Sequence, residues 1–391
     1  MSDQLPEPRP TFVYLSKVRC ESRTRPRRAP LALNDKAEPL PSGVSRDRVR
    51  RGLIRLGALA ALAVVVITLL PGLGQLRSRF AHASPAWLAV ACALEVLSVL
   101  AYVPAFRAVF CTRMSWGTSY KIAIAEEGAG SLFPLGGAGG LALGAWALRR
   151  GGMPAAEIAR KTVAFFLLTS ALPVATLALI GIGLATGVLP GRASVALTVV
   201  PAAAAVGAIA ATLALGRFAR RTETRVRESR TPSRLARLAP VFLATADGVD
   251  EALHLLRRGN PLLLLGLVGF LVCDILVLWA SFRAVGAAPE LTIVWIAYLI
   301  GQLGNWLPIP GGIGGVELGL IAILVLYGLP ALTATAAVLL YRVIELWIPA
   351  LLGMVAFFQL RKLLRREAEK IDLCQPGDTI EIIGLGPVTA T

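Results

Sequence analysis

The sequence predicts an all-α polytopic membrane protein, with about six full spanning helices and two Gly/Pro-broken re-entrant hairpins in an inverted internal repeat. Of its 391 residues 55% are hydrophobic and only 16% are charged, whereas a soluble domain keeps roughly a quarter of its residues charged. The apolar residues form blocks, and several reach the roughly 20 residues that cross a bilayer as a helix. The net charge is +16, and the basic residues lie between these blocks. This placement is typical of residues that set the orientation of a membrane protein, and it does not indicate nucleic-acid binding.

The chain divides into a predicted membrane domain at residues 51–365 and two polar ends. Residues 1–50 are rich in Arg and Pro and poor in large apolar side chains, which predicts a disordered basic cytoplasmic tail. Residues 366–391 form a short second cytoplasmic tail that is too small for a domain. We therefore expect no soluble enzyme domain.

The predicted spanning helices follow one another in the order of the apolar blocks. They cover residues 53–70, 85–110, 159–189, 193–215, 261–282 and 331–358. Two further apolar segments, 120–148 and 291–327, are interrupted in the middle. Between the halves, residues 216–258 hold an Arg-rich loop and then an amphipathic helix, which we expect on the membrane surface.

Both interrupted segments contain a cluster of glycine and proline. Residues 133–140 read Phe-Pro-Leu-Gly-Gly-Ala-Gly-Gly, and residues 308–315 read Pro-Ile-Pro-Gly-Gly-Ile-Gly-Gly. Irregular backbone inside a bilayer must be buried in protein or line a watery cavity. Each segment is thus either a re-entrant hairpin or a pair of short spans joined by a tight turn.

The two clusters belong to an internal repeat. The tetrapeptide Phe-Arg-Ala-Val at residue 106 recurs at residue 282, an offset of 176 residues, and Pro154 and Pro173 recur as Pro330 and Pro349. We place repeat one at residues 85–190 and repeat two at 261–358. If each broken segment returns to the side it left, every basic cluster lies inside, which makes the repeats inverted and both termini cytoplasmic. Inverted repeats with broken helices are a recurring transporter design.

The glycine clusters are candidate binding sites for an anionic headgroup. A Gly-rich turn that leads into a half-helix presents free amides at the positive end of the helix dipole. The alternative is that small residues only allow close helix packing. The candidates are Gly136, Gly137 and Gly139 in the first half and Gly311, Gly312 and Gly314 in the second.

Charged residues inside the last spanning helix complete the candidate site. Arg342 and Glu345 share one helix face, and charges at this depth usually face the bundle interior. We expect Arg342 to receive an anionic headgroup with Glu345 balancing it, or the two to form a structural ion pair. Glu317 is a candidate proton carrier or headgroup ligand, or else a solvated residue at the hairpin mouth. Asn305, with Gln302 and Trp306, precedes the second cluster.

Four further acids are weaker candidates. Glu126 and Glu127 precede the first glycine cluster, and Glu95 and Asp274 lie inside predicted spanning helices. Each is either a relay carboxylate or a buried acid that is protonated or paired.

Motifs of the common enzyme classes are absent from the sequence. It contains no G-x-x-x-x-G-K-[ST], no G-x-S-x-G and no H-E-x-x-H. The cysteines are scattered without a C-x-x-C pair, and only two histidines occur. We therefore expect no catalytic residue, no metal site and no cofactor.

The segment Asn305–Glu317, followed by Tyr341 and Arg342, resembles the lysylphosphatidylglycerol synthase transmembrane-region family of flippase-like membrane proteins. In that family the membrane part can be joined to a cytoplasmic domain that transfers an aminoacyl group from tRNA to phosphatidylglycerol. The membrane part is then associated with flipping the product lipid. The resemblance implies a role in flipping for Gly311, Gly312, Gly314, Glu317 and Arg342, without the synthase activity.

Three functions are consistent with these features. The leading hypothesis is a translocator that moves a lipid or lipid-linked anionic substrate across the inner membrane by alternating access to a midplane headgroup site. The first alternative is a non-catalytic membrane subunit that recruits a separate lipid-modifying enzyme. The second is a membrane-embedded lipid transferase that uses Glu126 and Glu127.

Overall fold

Long apolar helices dominate the computed structural model. It describes residues 74–132, 138–151, 153–189, 199–208, 234–306 and 314–366, together with positions 51, 54, 57, 58, 210, 211 and 214. Within these residues the secondary structure is helical, without strands. The predicted tails, most of the predicted helices at 53–70 and 193–215, most of the Arg-rich loop and both hairpin tips lie outside the described residues.

Eleven helices are described and are numbered here in chain order. They are α1 Gly74–Ala81, α2 Pro85–Phe110, α3 Trp116–Leu132, α4 Ala138–Arg150, α5 Ala155–Ala185, α6 Val199–Ala208, α7 Arg234–Arg257, α8 Pro261–Ala284, α9 Leu291–Gly301, α10 Gly315–Leu326 and α11 Ala331–Arg366. A 3₁₀ turn, Gln302–Trp306, continues α9. Four of them, α2, α5, α8 and α11, are long and apolar enough to cross a membrane.

The spanning helices expose apolar side chains along their outer faces. Leu97, Phe166, Leu179, Leu265 and Val355 are each at least half exposed. In water such a surface would be a liability, whereas in a bilayer it faces lipid tails.

Proline and an extended residue fix the starts of α2 and α8. Ser84 precedes Pro85, and Asn260 precedes Pro261, so proline occupies the first helical position in both. The Asn260 side chain accepts a hydrogen bond from the Leu262 amide at 3.0 Å, which satisfies one of the free amides of the first turn.

Helices α2 and α8 run antiparallel in close contact along a seam between the halves. A Cβ atom built on Gly266 would lie 2.7 Å from the Ala105 nitrogen, and one on Gly269 would lie 3.1 Å from the Ala101 Cβ. Further along, the Ser98 hydroxyl donates to the Phe270 carbonyl at 3.1 Å. Position numbers rise on one helix as they fall on the other, so equivalent helices of the two predicted repeats point in opposite directions. Small residues permit this approach.

Each broken segment is a pair of packed arms. In the first, α3 ends at Leu132 and α4 begins at Ala138, so the predicted break at 133–140 is three residues shorter on its C-terminal side. In the second, α9 and its 3₁₀ turn end at Trp306, and α10 begins at Gly315. A Cβ on Gly304 would lie 2.5 Å from the carbonyl carbon of Gly315, which shows how closely the second pair of arms approaches.

The first hairpin packs against the last helix of the opposite half. A Cβ on Gly128 of α3 would lie 2.6 Å from both the Gly353 Cα and the Pro349 carbonyl oxygen of α11. Neither glycine can carry a side chain without moving the backbone of the other helix. This crossing places the first hairpin beside the polar residues of α11.

Helix ends depart from the predicted ones where apolar pattern alone marked the boundary. Helix α5 begins at Ala155 instead of 159, and α11 continues to Arg366 instead of 358. Ala, Glu, Arg, Lys and Leu are strong helix formers, so both helices extend beyond their apolar blocks. Helix α7 packs one face on α5, where Arg160 and Glu251 lie 3.6 Å apart.

Candidate functional site

Arg342 and Glu345 lie inside the apolar span of α11. That span runs from Ala331 to Lys362, and Arg342 is eleven positions past its start, about 17 Å along a helix that rises 1.5 Å per residue. Only 4% of the Arg342 side chain is exposed.

Two carboxylates hold the Arg342 guanidinium. Its Nε lies 2.9 Å from Oε1 of Glu317 on α10, and its Nη1 donates to Oε2 of Glu345 one turn further along α11. Ion pairing of this kind satisfies a charge that would otherwise be very costly in the membrane. The sequence-based alternative of an Arg342–Glu345 ion pair is thus present, and Glu317 is a second partner.

Glu317 also closes the start of α10. Its Oε2 accepts a hydrogen bond from the Gly314 amide at 2.6 Å, in the geometry of a helix cap. Gly314 has φ of +92°, which favours glycine because other residues are strained there. A Cβ on Gly314 would meet nothing within 4 Å, so backbone conformation and not close packing requires this glycine. The Glu317 carboxylate therefore joins the start of α10 to the spanning helix α11.

A polar layer surrounds the ion pairs. The Gln302 amide donates to the Tyr341 hydroxyl at 3.2 Å and to Oε1 of Glu345 at 3.5 Å. Tyr341 packs edge-on against Tyr298, with ring centroids 6.4 Å apart. The Tyr298 hydroxyl in turn donates to Oδ2 of Asp274 on α8.

The first hairpin contributes a different arrangement. The Tyr102 hydroxyl on α2 donates to Oε1 of Glu126 on α3 at 3.1 Å, and both groups are buried. The Glu126 carboxylate lies directly over Gly144 of α4, where any larger residue would displace it. Glu127 points towards the opposite half, within electrostatic range of Glu345.

Carboxylates outnumber the basic group in this layer. Glu95 lies within electrostatic range of Asp274, Glu127 and Glu345, and Asp274 lies within range of Arg342. With Glu317 the layer holds five acids, of which Glu317 and Glu345 bond the Arg342 guanidinium directly. Buried acids that lack a cationic partner lose hydration without replacement, so the layer is suited to binding protons or charged groups. Among the described residues no three acids, histidines or cysteines are arranged to hold a metal ion.

The structure brings together four of the predicted substrate-binding residues. Gly314, Glu317, Arg342 and Glu345 form one hydrogen-bonded group. Asn305 lies in the 3₁₀ turn beside them along the chain, and Gly139 lies in the first turn of α4. The other predicted glycines, Gly136, Gly137, Gly311 and Gly312, lie outside the described residues. The binding role of the whole set stays a prediction.

Sequence reasoning missed Tyr102 and Tyr298 and noted Tyr341 only as part of the family motif. Tyr102 and Tyr298 each bond an acid 24 residues away, and Tyr341 bonds Gln302. A tyrosine inside an apolar helix signals a buried hydroxyl that needs a partner, but the identity of that partner depends on helix crossings. Also missed was an open cavity of about 530 Å³ at the ends of α1 and α8, lined by Arg79, His82, Arg283 and their neighbours.

The spanning helices and lipid-facing surfaces define a polytopic α-helical membrane protein. The family model for the lysylphosphatidylglycerol synthase TM region matches residues 55–353. The chain therefore belongs to that family, as its sequence motif predicted. No curated protein matches the chain.

Proposed function

We propose that this protein translocates a lipid, or a lipid-linked anionic substrate, across the inner membrane. The observation that carries the proposal is the Arg342 ion pair with Glu317, which links a broken hairpin to the interior of a spanning helix. Charges at this depth usually mark a substrate or ion pathway. Membership of the family of the lysylphosphatidylglycerol synthase TM region supports a lipid as the substrate.

Competition for Arg342 supplies the mechanism. A phosphate headgroup presents oxygen acceptors that match a guanidinium fork. When such a group enters, it replaces the Glu317 carboxylate on Arg342. Glu317 then holds α10 to α11 less strongly, because its other hydrogen bond is with Gly314 of its own hairpin.

Release of the second hairpin changes which side of the membrane reaches the site. The hairpins return to their own sides in the inverted arrangement, so opening one and closing the other alternates access. In this proposal both termini are cytoplasmic, and the protein moves its substrate without chemical change. Neither catalysis nor a cofactor is part of the cycle.

Vesicle flipping tests the proposal. The purified protein is reconstituted in the lipid extract of its host, doped with fluorescent phosphatidylglycerol, and transbilayer movement is followed by quenching from outside. We expect wild-type protein to accelerate flipping over protein-free vesicles. Arg342→Ala reduces the rate at least tenfold, whereas Arg342→Lys retains part of it because it keeps the charge without the fork.

Arg160→Gln is the matched control. It removes an arginine whose side chain is 44% exposed and whose ion pair with Glu251 joins α5 to α7 away from the buried layer. This variant flips lipid at the wild-type rate. Equal flipping by Arg342→Ala and wild type would contradict the proposed site. Absence of flipping by wild type over a panel of anionic lipids would favour the enzyme-recruiting subunit.

A further inference from the structure

Glu95 and Asp274 are the acids of the buried layer with unsatisfied oxygens. Glu95 is 3% exposed and Asp274 is 5% exposed. Oε2 of Glu95 and Oδ1 of Asp274 have no hydrogen-bond partner among the described residues. A buried carboxylate in this condition loses its hydration without replacement, which is strongly unfavourable for the ionised form.

The seam between α2 and α8 places these acids opposite one another. Its contacts pair Ala105 with Gly266, Ala101 with Gly269 and Ser98 with Phe270. Continuing this antiparallel register by one helical turn brings position 95 to position 274. The electrostatic interaction between the two side chains agrees with that position.

We propose that Glu95 and Asp274 form a proton-binding site in which the two carboxyl groups share one exchangeable proton. Two carboxylates in contact at low dielectric cannot both stay ionised, and they titrate as a pair. A proton on one group donates to the free oxygen of the other, which satisfies both orphan atoms with one hydrogen bond. Asp274 remains fixed by the hydrogen bond from Tyr298 to its other oxygen.

A proton fits this site better than a metal cation. Hard cations such as Ca²⁺ take six to eight oxygen ligands, whereas the seam offers one free oxygen from each acid. The neighbouring hydroxyl of Tyr298 already donates its proton to Asp274. A shared proton needs only two acceptors.

Other titratable groups interact with the pair from four helices. They are Cys273 on α8, Glu127 on α3, Tyr298 on α9, and Tyr341, Arg342 and Glu345 on α11. The Arg342 guanidinium attracts the Asp274 carboxylate, and the neighbouring acids repel it. The charge of the pair therefore responds to the Arg342 ion pairs, which gives a physical link between proton binding and headgroup binding.

This link makes the pair a coupling site. The coupling rests on the proposed translocation, whereas the shared proton does not. When an anionic headgroup replaces Glu317 on Arg342, the field at Asp274 becomes more negative and the pair takes up a second proton. Release of that proton on the other side returns the site to its resting charge.

Infrared spectroscopy tests the proton site without any transport. Wild type, Glu95→Gln, Asp274→Asn and the double variant are reconstituted in nanodiscs, and the carbonyl band of protonated carboxylic acids is titrated with pH. We expect the wild-type spectrum to contain a component from the pair that disappears as the pH is raised. The pH midpoint of this component should shift in each single variant, and the component should be absent from the double variant. Glu126→Gln, which removes a buried acid bonded to Tyr102, leaves this component in place.

Two results would overturn the proton site. One is an unchanged carboxylic band in the double variant, and the other is a titration that depends on the concentration of Na⁺ or Ca²⁺ at fixed pH. Thermal unfolding checks that the amide substitutions keep the fold, since the side-chain carbonyl introduced by Asp274→Asn would still accept from Tyr298.

A pH gradient across flipping vesicles tests the coupling separately. One coupled proton shifts the distribution of the labelled lipid about tenfold per pH unit. We expect this shift in wild type and its loss in the double variant, and a shift that persists in the double variant would overturn the coupling. If the infrared titration is as expected but the pH gradient has no effect in vesicles that do flip lipid, the coupling is overturned and the proton site is not. Absence of flipping altogether would overturn the proposed function instead.

Discussion

The two halves of this protein share a packing scheme but not a chemistry. In both, a tyrosine hydroxyl ties the first spanning helix to the hairpin by a bond to an acid 24 residues away. The donor and acceptor have exchanged places. The first half has Tyr102 on the spanning helix and Glu126 on the hairpin, while the second has Asp274 on the spanning helix and Tyr298 on the hairpin.

The difference is greatest in the long helix that ends each half. At the offset of 176 residues, Arg342 corresponds to Phe166 and Glu345 corresponds to Thr169. Phe166 is 55% exposed on the lipid-facing surface, whereas Arg342 is buried in two ion pairs. Tyr341 corresponds to Phe165, and both are buried aromatic residues that pack against a tyrosine.

This comparison teaches that the last helix of the second half supplies the buried arginine, whereas the corresponding helix of the first half has an apolar residue at that position. The described ion pairs of the first half, Lys161 with Glu157 and Arg160 with Glu251, lie near the start of α5. The ion pairs of the second half lie inside the span of α11. Position within the membrane, and not the number of charges, separates them.

The largest expected effect is the loss of stability when the buried arginine of the second half is removed. Arg342→Ala leaves Glu317 and Glu345 buried without their partner, and removing one side of a buried ion pair costs about 3–5 kcal/mol. Phe166→Ala at the equivalent lipid-facing position stays within about 0.5 kcal/mol. Thermal unfolding in detergent measures both, and equal losses would show that the halves are energetically alike.

A second prediction concerns the contact between the halves. Gly353→Ala places a Cβ 2.5 Å from the Gly128 Cα, which forces α3 and α11 apart and costs about 1–3 kcal/mol. Gly117→Ala, where the added Cβ meets nothing within 4 Å, is the matched control. A neutral Gly353→Ala would mean that the first hairpin does not rest on α11.

The exchanged tyrosines provide a third test. Removing either hydroxyl leaves a buried acid without its donor, which costs about 1–2 kcal/mol. Tyr298→Phe should cost more than Tyr102→Phe, because Asp274 has another unsatisfied oxygen and faces Glu95 across the seam. Unfolding midpoints of the two variants, compared in one detergent, decide the order. The reverse order would place the more strained acid in the first half.

The smallest effect is expected at the exposed ion pair of the first half. Arg160→Ala removes a 3.6 Å contact with Glu251 at a partly exposed position, and such pairs contribute about 0–1 kcal/mol. Added salt should reduce even this difference. A loss that approaches that of Arg342→Ala would contradict the depth argument.

The sequence predicts the four described spanning helices well, because apolar length and proline mark them. Helix α2 covers the predicted residues 85–110, and α8 begins at the predicted Pro261. The start of α5 and the end of α11 extend beyond prediction because charged residues continue a helix as well as apolar ones do. The end of α5, at Ala185, falls four residues before the predicted 189.

The site is predictable only where its residues share one helix. The spacing of Arg342 and Glu345 predicts a common face, and the structure pairs them. The bond from Arg342 to Glu317 joins α11 to α10, and the bond from Tyr298 to Asp274 joins α9 to α8. Both depend on how helices cross, which the periodicity of a single helix does not contain.

The antiparallel seam has a consequence for the order in which the protein is made. Glu95 enters the membrane with α2, but Asp274 is synthesised 179 residues later, about 10–35 s afterwards at usual translation speeds. During that interval the inner face of α2 has no α8 to pack against. The nascent chain therefore holds Glu95 without its partner until the second half is inserted, and assembly of the seam is the event that turns a single buried acid into half of a pair.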